Sequence, residues 1–136
     1  MRRIDHGLRY IARNEQGRTL RMGRETPTTR TLKDCRGRGR LCQIAEYYAF
    51  GKRHDLFGFI DIVALDQVAR QIVAIQCTSG DNFAARDKKI RGECARAAQL
   101  WLLGGGTIEL WGWRQLKKEG WQPRIKVYTL ADFRQD

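Results

Sequence analysis

The sequence predicts one α/β domain with a mixed central β-sheet flanked by helices, and three observations lead there. Residues 58–65 and 72–79 are neighbouring runs of β-branched and apolar residues, the composition of buried strands. Residues 83–103 carry Ile90, Cys94, Ala97 and Trp101 at spacings of four, three and four, which is one face of a helix. The length of 136 residues holds one modest core, and no repeat or linker composition divides it.

The elements follow in order. Gly7–Ala12 and Arg18–Met22 flank the turn composition of 13–17 and read as a hairpin. Thr26-Pro27 is a helix start, with proline in the first turn, and Gly37 and Gly39 end that helix after about Arg36. Residues 40–48 alternate weakly as a strand, and 51–55 form a basic loop. The two central strands meet at a turn around Asp66-Gln67. Ser79-Gly80-Asp81-Asn82 is a loop of helix-capping residues, with Asp81 as a cap. The helix over 83–103 stops at Gly104-Gly105-Gly106. Residues 107–113 and 124–130 are two further strands, and the polar segment 114–123 between them reads as a loop. The organisation is thus an N-terminal hairpin within 1–26 and a core over 27–136.

The chain carries 26 Lys and Arg against 15 Asp and Glu, a net charge of +11. Such a surplus speaks about partners rather than fold, and nucleic acid is the first partner to expect. No apolar run reaches membrane-spanning length, and the first residues lack a signal peptide's apolar stretch, so the expectation is a cytoplasmic protein with no membrane partner. Cys35, Cys42, Cys77 and Cys94 form no Cys-x-x-Cys pair and have no histidine nearby in sequence. That argues against a zinc site, and Cys77 and Cys94, which sit in apolar patterns, read as small core residues.

The chemistry concentrates on Asp61 and Gln76. A carboxylate inside an apolar run is costly unless it is paired or binds a cation. Alternation puts Phe59, Asp61 and Val63 on one face, and Ala74, Gln76 and Thr78 share a face of the next strand. A compatible register brings Asp61 and Gln76 together, and two hard oxygen ligands suit Mg²⁺ or Mn²⁺. The plainer readings are an aspartate that caps a turn or pairs with arginine, and a glutamine bonded to neighbouring backbone.

This order of elements, with Asp61 on one strand and Gln76-Cys77-Thr78 on the next, resembles the PD-(D/E)XK nuclease superfamily, the restriction-endonuclease-like fold. The resemblance covers roughly residues 27–113, and in size and basicity it is similar to the Holliday-junction resolvases of that superfamily. Gln76 stands where the family has glutamate, and Thr78 where it has lysine. The resemblance implies Asp61 as main metal ligand, the Gln76 amide oxygen and the Cys77 carbonyl as further ligands, and a basic group from the following helix. Lys89, which borders the buried face, is preferred for that role with Arg86 assisting, over the solvent-facing Lys88. The duller alternative pairs Lys89 with Glu93. A further acid is expected; Glu46, Glu25 and Asp55 compete, and Glu46 is preferred. Arg36, Arg38 and Arg40, with Lys52 and Arg53, read as contacts to backbone phosphate. Lys117 and Lys118 with Trp121 form a basic, aromatic loop suited to exposed bases. Trp111 and Trp113 share a face that serves either the core or a dimer surface.

The resemblance therefore implies a divalent-metal-dependent DNA endonuclease acting as a homodimer on branched DNA such as a Holliday junction. A non-catalytic nucleic-acid binder on a degenerate nuclease fold, or an RNA-directed nuclease, are the alternatives.

Overall fold

A computed structural model of the chain describes residues 25–134, and the hairpin expected over 7–23 lies outside the described residues. Helix α1 (Pro27–Gly37) starts as the sequence requires. Thr26 is its N-cap, and Thr26 and Thr29 each accept the other's backbone N–H, at 3.2 and 2.8 Å. Strand β1 (Leu41–Ile44) then enters a five-stranded sheet ordered β1-β4-β5-β6-β7, where β4 is Ile62–Asp66, β5 Gln71–Ser79, β6 Thr107–Leu116 and β7 Gly120–Tyr128. Only the β5–β6 pair is parallel, because the chain crosses over between these strands through α2 (Phe83–Arg91) and α3 (Ala95–Leu103).

The sheet has a core on each face. Leu32 and Cys35 of α1 pack with Ile62, Ala64, Val73, Ile75, Cys77, Trp111 and Trp113. On the other face Phe83, Ile90, Cys94 and Ala98 pack with Phe59, Ile60, Ala74, Ile108 and Leu110. All four cysteines are buried free thiols. Trp111 and Trp113 both belong to the core, with ring centroids 6.1 Å apart, so neither offers a dimer surface. The start of α2 is fixed by a close approach: a Cβ on Gly112 would meet the Phe83 ring at 2.5 Å, so only glycine lets this helix sit down on β6.

Four expectations are corrected. The helix over 83–103 is two helices, broken at Gly92, whose φ of −109° and ψ of −97° lie outside the helical region. The apolar spacing runs across the break because both helices rest on one core. The strand over 40–48 ends at Ile44; Tyr47–Ala49 (β2) instead pairs with Lys52–His54 (β3), which had read as loop, in a separate two-stranded hairpin. The loop over 114–123 is the closing half of a long hairpin. Its strands are polar because their outer ends leave the core, and Pro123 is tolerated on β7 because this is an edge strand. The capping loop is a single 3₁₀ turn, Gly80–Asn82, and no side chain caps α2, so Asp81 is not its cap. Among the described residues no helix is long and apolar enough to cross a membrane.

Candidate metal centre

Asp61 sits one residue before β4, not in mid-strand, yet the ladder continues through it. Its N–H donates to Ile75 O at 2.9 Å, and its carbonyl accepts from Ala45 N at 2.9 Å. The alternation expected over 58–65 begins only here. Phe57 and Gly58, with φ of 53° and 83°, form a tight turn closed by the Leu56–Ile60 bridge, which puts Phe59 and Ile60 into the same core. The register Ile62↔Ile75 then brings the Asp61 carboxylate onto Gln76. Gln76 Nε2 donates to Asp61 Oδ2 at 2.6 Å, and Cys77 N–H donates to the same oxygen at 2.8 Å.

The hairpin β2–β3 completes the site. Glu46 immediately precedes β2 and Asp55 immediately follows β3, so pairing these strands returns both acids to the edge where Asp61 lies. One oxygen from each of Glu46, Asp55 and Asp61 lies within 4.8 Å of the other two. Cations stand at the rim: Arg53 Nη1 is 3.5 Å from Glu46, and Lys89 Nζ is 3.9 Å from Asp55. Asp61 has no ion-pair partner among the described residues. Burial pushes its carboxyl up to about 7; the Cys77 N–H pulls against this, and the like charges of Asp55 and Glu46 add to it.

Two of the three competing acids are therefore in the cluster, Glu46 as preferred and Asp55 beside it. Glu25 is elsewhere, 2.6 Å from Arg30. Lys89 does reach the cluster, through Asp55 rather than by pairing with Glu93. Lys88 is exposed on the same helix, and Arg86 is half-buried with no ion pair among the described residues.

The Gln76 amide corrects one expectation. Its nitrogen, not its oxygen, faces Asp61, since a carboxylate oxygen accepts from an amide N–H. Gln76 Oε1 is left buried without a hydrogen-bond partner. Turned over, the same amide would offer that oxygen to a cation shared with Asp61. The Cys77 carbonyl lies on the same strand edge as the Cys77 N–H, since both backbone groups of a strand residue point the same way. The cluster itself is three carboxylates, to which a turned Gln76 amide and the Cys77 carbonyl could add their oxygens. All are hard oxygen donors, and the set fits Mg²⁺ or Mn²⁺ rather than a thiol-seeking metal.

The basic residues divide. Arg40 is committed to the fold: its guanidinium holds Glu109 through two bonds of 2.8 and 2.9 Å and Asp66 at 3.0 Å, leaving no free edge for phosphate. Arg36 donates to the Cys42 carbonyl, and Arg38 pairs with Asp34 beside the Trp111 ring. Lys52 and Arg53 are exposed on β3; Arg53 reaches Glu46, and Lys52 pairs with Ala49 at the turn end of the hairpin. Lys117 and Lys118 are exposed at the far hairpin tip, but the ring of Trp121 has Arg30 stacked 3.9 Å from its centroid, so one of its faces is occupied.

No family model, curated protein or solved structure matches the chain. The geometry alone carries the functional reading.

Proposed function

We propose that the protein is a divalent-metal-dependent nuclease of the PD-(D/E)XK kind, acting on DNA, with a branched substrate favoured and a two-fold dimer as the working assembly. One observation supports this above the rest: Glu46 and Asp55 converge on a buried Asp61 that has no ion-pair partner among the described residues, with Lys89 at their rim. Like charges held together at a sheet edge are unfavourable unless a cation joins them. Asp61, Glu46 and Asp55 would hold that cation, with the Gln76 amide oxygen and the Cys77 carbonyl beside it. A bound Mg²⁺ or Mn²⁺ would act there as a Lewis acid toward a phosphate oxygen.

The chain's own groups supply the rest. Lys89 stands beside the acids and offsets charge that develops on the phosphate. Lys52 and Arg53 take backbone phosphates next to the site and position the strand. The net charge of +11 draws polyanions to this surface. Cuts in two strands related by symmetry call for two copies related by a two-fold axis.

The test is cleavage of junction, forked, duplex and single-stranded DNA, and of RNA, with and without Mg²⁺. The proposal expects metal-dependent cleavage that Asp61→Asn removes. A second reading has its own support. Gln76 and the Cys77 N–H both donate to one Asp61 oxygen, as protein donors would in a decayed site that only binds nucleic acid. Tight binding with no cleavage of any substrate at any Mg²⁺ concentration would select that reading.

A further inference from the structure

The hairpin that carries Glu46 and Asp55 at its base has a tip that folding alone does not account for. Phe50 sits in its two-residue turn, 99 % exposed, with φ of 53°, and Gly51 follows with φ of 72°. Two successive positive φ values make a type I′ turn, whose first position favours asparagine, aspartate or glycine. A bulky aromatic there is a backbone outlier, and full exposure gives it no burial in return. Around it stand Tyr48, 74 % exposed with Arg53 donating to its hydroxyl at 3.1 Å, and the exposed Lys52. The tip is therefore aromatic and cationic, while the base is acidic. Four residue steps of extended chain lead from Glu46 to Phe50, a reach of about 13 Å, or about four stacked base steps.

We propose that the β2–β3 hairpin is a base-reading arm: Phe50 stacks on an unpaired or branch-point base while Lys52 and Arg53 hold the flanking phosphates. Aromatic rings bind bases by their π-faces, and cations take the backbone. A continuous duplex keeps those faces stacked inside, so the arm finds its partner only at a branch, a fork or a single strand. Glu46 and Asp55 at the other end then lie a fixed number of nucleotides from the base that is held. This inference deepens the proposed function and rests on its nucleic-acid substrate.

The test uses Phe50→Asn, which suits the left-handed backbone and keeps the turn while removing the ring, and Phe50→Trp, which restores a larger ring. Binding to forked DNA with 2-aminopurine at the branch is measured without divalent metal, beside duplex of equal length. Wild type should quench the 2-aminopurine signal and prefer the fork. Phe50→Asn should lose about tenfold in fork affinity and the quenching, with duplex affinity unchanged, and Phe50→Trp should recover both. If Phe50→Asn binds and quenches as wild type does, the arm does not read bases, and the nuclease proposal stands untouched. If wild type binds no nucleic acid, both fall together. If instead Phe50→Asn abolishes self-association in sedimentation while fork binding is kept, the tip belongs to a second copy and the inference is overturned.

Discussion

Two buried carboxylates in the same sheet meet opposite fates. Glu109 on β6 and Asp61 before β4 are 8 % and 5 % exposed, so burial pushes both carboxyls up. At Glu109 the opposing groups win: the Arg40 fork and a bond from Trp111 Nε1 at 2.9 Å hold it below its ordinary value. At Asp61 they lose. Its donors are a neutral amide and a backbone N–H, and its charged neighbours are two more acids. A fold that can place an arginine 69 residues away in sequence against Glu109 puts none against Asp61 among the described residues. The difference marks Glu109 as a fixed strut, and the proposed function takes Asp61 as the place for a cation.

The comparison breaks most visibly under two isosteric changes. Asp61→Asn should lower metal-dependent cleavage by about 10³-fold while the protein folds as well as wild type or better at neutral pH. Glu109→Gln should do the reverse. It leaves Arg40 partly uncompensated inside the protein, a loss of about 3 kcal/mol of stability, with the rate per folded molecule kept. Cleavage rates and urea unfolding of both variants measure this. Similar profiles for the two would erase the distinction.

The second expectation gives the two acids opposite pH slopes. Asp61 has a folded value of about 7, above that of an unfolded aspartate. The folded state therefore holds this proton more tightly, and the stability it contributes is present below about pH 4 and is lost as pH rises through about 7. The loss is on the order of 2–4 kcal/mol. Asp61→Asn should flatten that slope in metal-free unfolding. Glu109 is held below its ordinary value, so its contribution is present above the unfolded value and lost as pH falls. Glu109→Gln should remove stability at neutral pH and little in acid.

What the sequence disclosed of this contrast follows the range of the interactions. Asp61 and Gln76 were legible because local alternation and one antiparallel register suffice to bring them together. So was α1, whose cap is written in Thr26, Pro27 and Thr29. Arg40–Glu109 was not, since the pair depends on how the α1–β1 connection lies across the sheet to β6. Asp55 entered the site through the pairing of β2 with β3, two three-residue strands too short and polar to show a period. Tyr47-Tyr48-Ala49-Phe50-Gly51 did hold the signal, β-formers leading into a two-residue turn with glycine second. The break at Gly92 was masked by an apolar spacing that both helices satisfy.

A third expectation separates neighbours on α2. Lys89 approaches Asp55 at 3.9 Å, and Lys88 points to solvent. Lys89→Ala should lower the cleavage rate about 30-fold, within the range of a single lost electrostatic contact, with binding changed little. Lys88→Ala should alter the rate less than about twofold and weaken binding only at low salt. Single-turnover rates and salt-dependent binding distinguish them. Equal loss of rate in the two variants would detach Lys89 from the acids.

The finest test asks which end of the Gln76 amide matters. Nε2 donates to Asp61 at 2.6 Å, while Oε1 has no partner among the described residues. Gln76→Glu removes the donor and adds a fourth acid to three already crowded. Without metal the variant should unfold more easily than wild type, because like charges are pressed together out of water. With Mg²⁺ the order should reverse, since a charged oxygen binds a hard cation better than a neutral one, and half-maximal stabilisation should come at about tenfold less Mg²⁺. Thermal unfolding across a Mg²⁺ series reads both effects without any substrate. An unchanged Mg²⁺ dependence in Gln76→Glu would mean that no cation meets this side chain, and that the amide serves Asp61 in the way Arg40 serves Glu109, only more weakly.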